Sequence, residues 1–254
     1  MALDVAKSGA AESGRFERLF SSAAQEGRQI ELAAGRVVHE PGDPAEFVYF
    51  VHSGQVRIHQ LGPDGQSVRL VEILGPEDWF GAAALAHTRT YGTRATAVTD
   101  AVVSEVPAER WHAALASTPE VAAEVIGQLA RKLQAAHEDA GRLVFDDCND
   151  RLVKTLLRFS HSAAATRGED GDVVLRITHQ QLAQAVGAAR ETISLALTQL
   201  RQRELLKTGR NQLFFNPDVL RRVCLNDRAA GSAAVAITAA VSEVGGEGRR
   251  EQVA

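Results

Sequence analysis

The chain has 254 residues, room for one large domain or two modest ones. Its 45% apolar and 24% charged residues are the composition of an ordinary globular protein, and no run reaches the roughly 18 apolar residues that span a bilayer. Two cysteines, Cys148 and Cys224, are too few for a disulfide framework or an all-cysteine zinc or iron–sulfur site. The net charge of -4 does not announce a nucleic-acid binder, but its distribution is uneven. From Arg176 to Arg222 there are eight Lys/Arg against three acids, so that segment carries +5 and the rest -9. The field that attracts DNA lies toward one end.

The start, MALDVAKSGAAESG, is polar and has no apolar signal core, so residues 1–15 read as a floppy end of a cytoplasmic protein. A short helix is expected over Phe16 to Ser22. From Arg28 to Val106 apolar residues alternate or cluster in short runs, as in Val37-Val38, Phe47 to Val51, Val56 to Ile58, Val68 to Leu74 and Ala101 to Val103. Turn signals separate them at residues 40–43, 53–54, 62–65 and 75–78. Short strands at this spacing predict an antiparallel barrel or sandwich.

From Pro119 to Val144 the period becomes helical. Ile126, Leu129, Leu133, Ala136, Ala140 and Leu143 are spaced 3, 4, 3, 4, 3, a heptad seam over about two and a half heptads. The stripe either packs on its own barrel or forms a two-helix dimer seam. Asn149 to Ser162 predicts another helix, Ala163 to Gly171 a loop, and Val173 to Ile177 a strand. Lys207 to Phe215 predicts a hairpin with Gly209-Arg210-Asn211 at its tip, and Asn216-Pro217-Asp218 opens a last short helix to Val223. Beyond Arg228 the Ala/Gly-rich composition predicts disorder.

The segment from Thr178 to Leu200 carries the function. Thr178 with Gln181 three residues on is a capping box. Leu182, Ala183 and Val186 form the inner face of a two-turn helix, and Gly187 permits a tight turn. Arg190 begins a second helix with Ile193, Leu197 and Leu200 inside. Small, turn-forming and apolar residues at these offsets, followed by a basic wing, predict a helix-turn-helix. The second helix then enters the major groove, with Arg190, Glu191 and Ser194 facing base edges. Thr178, His179 and Gln180 sit at the N-terminus of the first helix, suited to a phosphate. Thr192, Lys207 and Arg210 are expected to contact the backbone.

Barrel, heptad helix and winged helix-turn-helix together resemble the Crp/Fnr family of bacterial regulators. The residues that carry the resemblance are Glu40-Pro41-Gly42-Asp43, Val48 to Arg57 with Ser53-Gly54-Gln55, Asp78-Trp79-Phe80-Gly81, Leu143 to Leu157, and Arg190-Glu191-Thr192-Ile193-Ser194. The resemblance implies an α+β chain with a cyclic-nucleotide-binding-type β-roll sensor (residues 16–118), a long dimerisation helix (119–145), a winged helix-turn-helix DNA-binding domain (146–226) and a tail (227–254). It also implies a homodimer whose two recognition helices read near-palindromic double-stranded DNA, contact with RNA polymerase, and no membrane partner.

Departures from the family are as informative. Cyclic-nucleotide-binding members carry a phosphate cassette that starts Phe-Gly-Glu and ends Arg-Ser/Thr-Ala. Here the effector-pocket positions are Phe80, Gly81, Ala82, Ala83, Ala84, Leu85, Tyr91, Gly92 and Thr93, so the glutamate is Ala82 and the arginine falls on Tyr91. Arg94 is three residues late and in a strand would face the other way, although a looped register would bring Arg89 or Arg94 into place. The Thr-Ser pair that touches the base in cyclic-AMP-binding members is Ala136-His137 here. These changes speak against cyclic AMP, and the missing cysteines exclude an iron–sulfur sensor. The effector stays unidentified: an apolar ligand, a haem or metal held by His137 or His87, or no ligand at all. In the recognition helix, many members have an arginine four residues after the glutamate, where this chain has Leu195.

No GxSxG, P-loop, HExxH or GxGxxG after a strand is present, so nothing points to catalysis. A ligand-binding module that acts only through protein partners is the alternative, and the Arg190-Glu191 helix argues against it. The expected mechanism is a signal that shifts the packing of the heptad helices, with a hinge near Phe145 to Asp150 rotating the DNA-binding domains.

Overall fold

A computed structural model describes residues 27–86, 90–168 and 170–226. The helix expected over Phe16 to Ser22, both expected floppy ends, His87 and Arg89 lie outside the described residues.

Eight strands build the N-terminal unit: β1 (Arg28–Leu32), β2 (Val37–His39), β3 (Phe47–Ser53), β4 (Val56–Leu61), β5 (Val68–Leu74), β6 (Trp79–Phe80), β7 (Arg94–Ala97) and β8 (Ala101–Pro107). They form two four-stranded sheets, ordered β1-β8-β3-β6 and β2-β7-β4-β5, with every pairing antiparallel. Val48, Val51, Val56, Ala95, Ala97 and Val103 are fully buried between them. The expected strands therefore all form, and the runs of β-branched residues supply the buried faces.

Two helices follow, α1 (Ala108–Ser117) and α2 (Pro119–Phe145), separated by Thr118. α1 was not anticipated; it buries Trp111 against the barrel core. α2 starts with Pro119 in its first turn, where the missing N–H costs nothing. Its two faces differ. Val121 and Val125 are buried on the barrel. Further along the same face, Gln128 accepts a hydrogen bond from Trp79 Nε1, and Lys132 Nζ meets Glu72 at 2.8 Å. Asp139 completes that face by binding Arg69 and Arg158. The seam residues point away from the barrel.

The C-terminal unit holds α3 (Cys148–Phe159), β9 (Ala165–Arg167), β10 (Val173–Arg176), α4 (His179–Val186), α5 (Arg190–Gln202), β11 (Lys207–Gly209), β12 (Gln212–Phe215) and α6 (Pro217–Arg221), followed by a π-turn over Arg222–Asn226. Its sheet is ordered β11-β12-β10-β9. The loop expected over Ala163 to Gly171 is thereby corrected, because β9 lies within it and pairs Ala165 with Leu175 and Arg167 with Val173. Asp147 caps α3 by accepting from the Asp150 N–H at 2.8 Å, which starts this helix one residue before the expected position.

The two units share apolar contacts. Leu70 and Ile73 of β5 belong to the same buried cluster as Leu152, Leu156 and Leu182. Gln55 Nε2 donates to the Ala163 carbonyl at 2.7 Å, and Arg158 donates to the Val71 carbonyl at 3.3 Å.

Candidate nucleic-acid interface and effector region

The helix-turn-helix is built from local chemistry. Thr178 Oγ1 accepts from the Gln181 N–H and Gln181 Oε1 accepts from the Thr178 N–H at 2.9 Å, so both halves of the capping box form. Gly187 closes α4 at φ 72°, ψ 49°, a left-handed conformation that costs a Cβ-bearing residue about 1–2 kcal/mol. Its N–H bonds the Ala183 carbonyl at 2.9 Å, and the chain re-enters a helix at Arg190. Leu182, Ala183, Val186, Ile193, Ala196, Leu197 and Leu200 are all buried, so the two helices are held by the face read from the sequence.

The opposite face of α5 is open. Arg190, Glu191, Thr192 and Leu195 are exposed, while Ser194 is half-buried. Ser194 is engaged within the fold: its hydroxyl donates to the Arg190 carbonyl at 2.9 Å, and its oxygen lies 2.9 Å from His179 Nδ1. The structure thus joins two expected DNA contacts to each other. Gln180 is exposed, and Thr178 and His179 are half-buried beside α5. The wing is the β11–β12 hairpin. Buried Leu213 and Phe215 anchor it, and Asn211 turns its tip at φ 56°. Lys207 and Arg210 stand exposed on it. Arg190, Lys207 and Arg210 therefore lie on open surface of the +5 segment, as phosphate attraction requires.

The seam of α2 is exposed along its length. Ile126 is 66% exposed, Leu133 58% and Leu143 48%, and Leu129, Ala136 and Ala140 are also open to solvent in whole or in part. Of the two readings of the stripe, packing on the chain's own barrel is the one this geometry removes. His137 is exposed beside the seam.

The effector region is packed with aromatic rings. Phe80 ends β6, and Gly81 follows at φ 86°, where an added Cβ would also approach the Phe47 carbonyl oxygen to 2.8 Å. Ala82, Ala83, Ala84 and Leu85 form a 3-10 turn, with Ala84 fully buried and the others partly so. Tyr91, which the sequence places at the family arginine's expected position, is 4% exposed. Its hydroxyl donates to the Phe47 carbonyl at 2.6 Å, and its ring stacks on His39 with centroids 3.8 Å apart. The Tyr49 and Phe80 rings stack at 4.8 Å. Gly92 is exposed, and the Thr93 carbonyl accepts from His39 Nδ1 at 2.8 Å. Burial pushes the Tyr91 phenol up and the His39 imidazole down, so both rings are neutral near pH 7. Arg94 binds Glu40 at 2.7 Å. Ala136 and His137 are exposed on α2. Among the described residues no group of three or more His, Cys, Asp or Glu is arranged to hold a metal ion, and no helix is long and apolar enough to cross a membrane.

Sequence reasoning missed Asp139, which binds Arg69, Arg142 and Arg158 at 3.4, 3.1 and 3.1 Å. Only the Arg142 pairing, three residues away on the helix, carried a signal.

A cyclic-nucleotide-type β-roll joined by a long helix to a winged helix-turn-helix defines a transcription regulator with both domains on one chain. Residues 29–118 match the model of the cyclic nucleotide-binding domain, and residues 150–223 that of the Crp-like helix-turn-helix domain. The chain is 28% identical over 194 residues to a CRP-like cAMP-activated global transcriptional regulator of Mycobacterium tuberculosis, covering 76% of this chain and 86% of the relative. It is 29% identical over 198 residues to the global nitrogen regulator of Synechococcus elongatus, covering 76% and 88%. A solved CRP/FNR-family transcriptional regulator from Thermus thermophilus superimposes with a TM-score of 0.64 at 26% identity, over 77% of this chain and 97% of that one. The chain belongs to the Crp/Fnr family of transcription regulators and carries a helix-turn-helix DNA-binding domain.

Proposed function

We propose that this regulator works in the cytoplasm as a homodimer joined along α2. Its two α5 helices would read half-sites of a near-palindrome, about one helical turn apart. The observation that carries the reading is the division of α2 into two faces. One is locked to the barrel through Gln128, Lys132 and Asp139, and the other leaves Ile126, Leu129, Leu133 and Leu143 open. A narrow apolar stripe on a helix of this length is satisfied by a second copy of the same stripe. Arg190 and Glu191 would contact base edges, Thr192, Lys207 and Arg210 the backbone, and Thr178, His179 and Gln180 a phosphate.

The effector is a ligand other than cyclic AMP, or the dimer is competent without one. In the register read from the sequence, Tyr91 stands where the family places its phosphate-binding arginine, and its phenol is spent on the Phe47 carbonyl, while Ala82 supplies no acceptor for a ribose hydroxyl. DNA-bound, the dimer would contact RNA polymerase. The test is selection of sequences from a random duplex pool by the purified chain with no effector added, together with sedimentation of the unsubstituted chain and of Leu133→Asp. Enrichment of a near-palindrome by a dimer that Leu133→Asp splits is expected. An unsubstituted chain that sediments as a monomer, a dimer unaffected by Leu133→Asp, or enrichment that appears only with cyclic AMP would refute the reading.

A further inference from the structure

We infer that Leu195 is a specificity-determining residue that reads the methyl group of a thymine one or two base steps from the bases read by Arg190 and Glu191. The inference rests on the DNA reading of α5. Leu195 is 68% exposed, the most open of the large apolar residues described in the helix-turn-helix. It is not a stray member of the core face, which is Ile193, Ala196, Leu197 and Leu200, all buried. It falls four residues after Glu191 and three after Thr192, so these three side chains share the open face of α5. Side chains on a helix lean toward its N-terminus, which here is the end that enters the groove.

In the major groove, guanine and adenine present acceptors, cytosine and adenine present donors, and only thymine presents an apolar group, its C5 methyl. A leucine can neither donate nor accept. Facing a G·C pair it would strip water from O6 or N4 and return nothing, whereas facing a thymine it buries a methyl against a methyl. One turn along the helix is a rise of about 6 Å, which places Leu195 one or two base steps from Glu191 at the spacing of stacked bases. Leu195 therefore calls for a thymine-bearing pair, where an arginine at this position would call for guanine.

The test uses the full chain, at fixed salt, on the duplex it selects from a random pool. Each thymine of a half-site is replaced in turn by uracil, which removes only the methyl. The expected result is one position per half-site where uracil weakens binding about fourfold, and on the order of tenfold when both half-sites are changed. Leu195→Ala should bind thymine and uracil duplexes equally, and Leu195→Arg should enrich guanine at that position. If the unsubstituted chain selects a near-palindrome but uracil is silent at every thymine, or if the uracil effect persists in Leu195→Ala, the role of Leu195 is overturned while DNA recognition stands. If the unsubstituted chain selects no sequence at all, the DNA reading fails and this inference falls with it.

Discussion

His179 Nδ1 and Ser194 Oγ lie 2.9 Å apart, joining the first turn of α4 to the second turn of α5 across the helix-turn-helix. Because the Ser194 hydroxyl donates to the Arg190 carbonyl, the imidazole supplies the proton of this contact. The pair fixes how α5 sits on the helix before it, so Ser194 bears on the exposed face of α5 through His179. Ser194→Ala should lower stability by about 1 kcal/mol, the worth of an ordinary hydrogen bond. It should also broaden the selected sequence, as read by thermal unfolding and by pool selection. Unchanged stability with a sharpened operator would contradict the linkage.

Asp139 gathers Arg69 from β5, Arg142 from its own helix and Arg158 from α3. It therefore ties the barrel, α2 and the DNA-binding unit at one carboxylate. Arg158 is held below the usual arginine range by burial, which Asp139 opposes. Asp139→Ala leaves that partly buried guanidinium with the Val71 carbonyl and no carboxylate. The expected loss is about 1–3 kcal/mol in urea unfolding, with faster proteolysis between Phe145 and Asp150. The groups are partly exposed, so the loss should shrink at high salt. Asp139→Asn, which keeps an acceptor, should lose less.

What the sequence made legible was local. The capping box spans four residues, the Gly187 turn three, and the heptad seam repeats every seven, so each could be read from spacing alone. The strands of the barrel were legible because β-branched runs alternate with Pro-Gly-Asp and Pro-Asp-Gly turns. α1 was not, since Pro107 offers no side-chain cap and its short apolar pattern follows a strand without a break. β9 is three residues with two polar side chains at a sheet edge, a segment whose composition is that of a loop. The packing of Tyr91 on His39, and the reach of Arg69 to Asp139, join residues 52 and 70 apart. No periodicity encodes such contacts; they follow only once the sheets have set their registers.

His39 is buried at 3% exposure and donates through Nδ1 to the Thr93 carbonyl, while Nε2 has no hydrogen-bond partner. Burial is the largest influence and lowers its pKa from 6.5, outweighing the Thr93 carbonyl, Asp43 and Glu40, which raise it. The unfolded chain therefore binds this proton more readily than the folded one. The stabilisation is fully present above the unfolded value near 6.5 and is lost as pH falls through it toward the folded value. His59 and His161 shift in the same direction and add to the slope. The melting temperature should fall between pH 7 and pH 5, and His39→Gln should flatten the curve. An unchanged slope in that variant would place the pH sensitivity elsewhere.

Gly187 holds φ 72° between α4 and α5, and an added Cβ would meet nothing closer than Leu143 Cδ2 at 3.8 Å, an ordinary contact. Space is therefore not the constraint, and the backbone conformation is. Gly187→Ala should cost about 1–2 kcal/mol from the left-handed strain alone, with no additional clash. Gly187→Asn should cost less, because asparagine tolerates this region. The strain sits on the turn that sets the crossing of α4 and α5, so relief by re-angling the helices would show as a loss of DNA affinity larger than the loss of stability explains. Comparing urea midpoints with binding to one fixed duplex separates the two. Equal losses in both variants would mean that the site rejects any side chain, contrary to the open space around it.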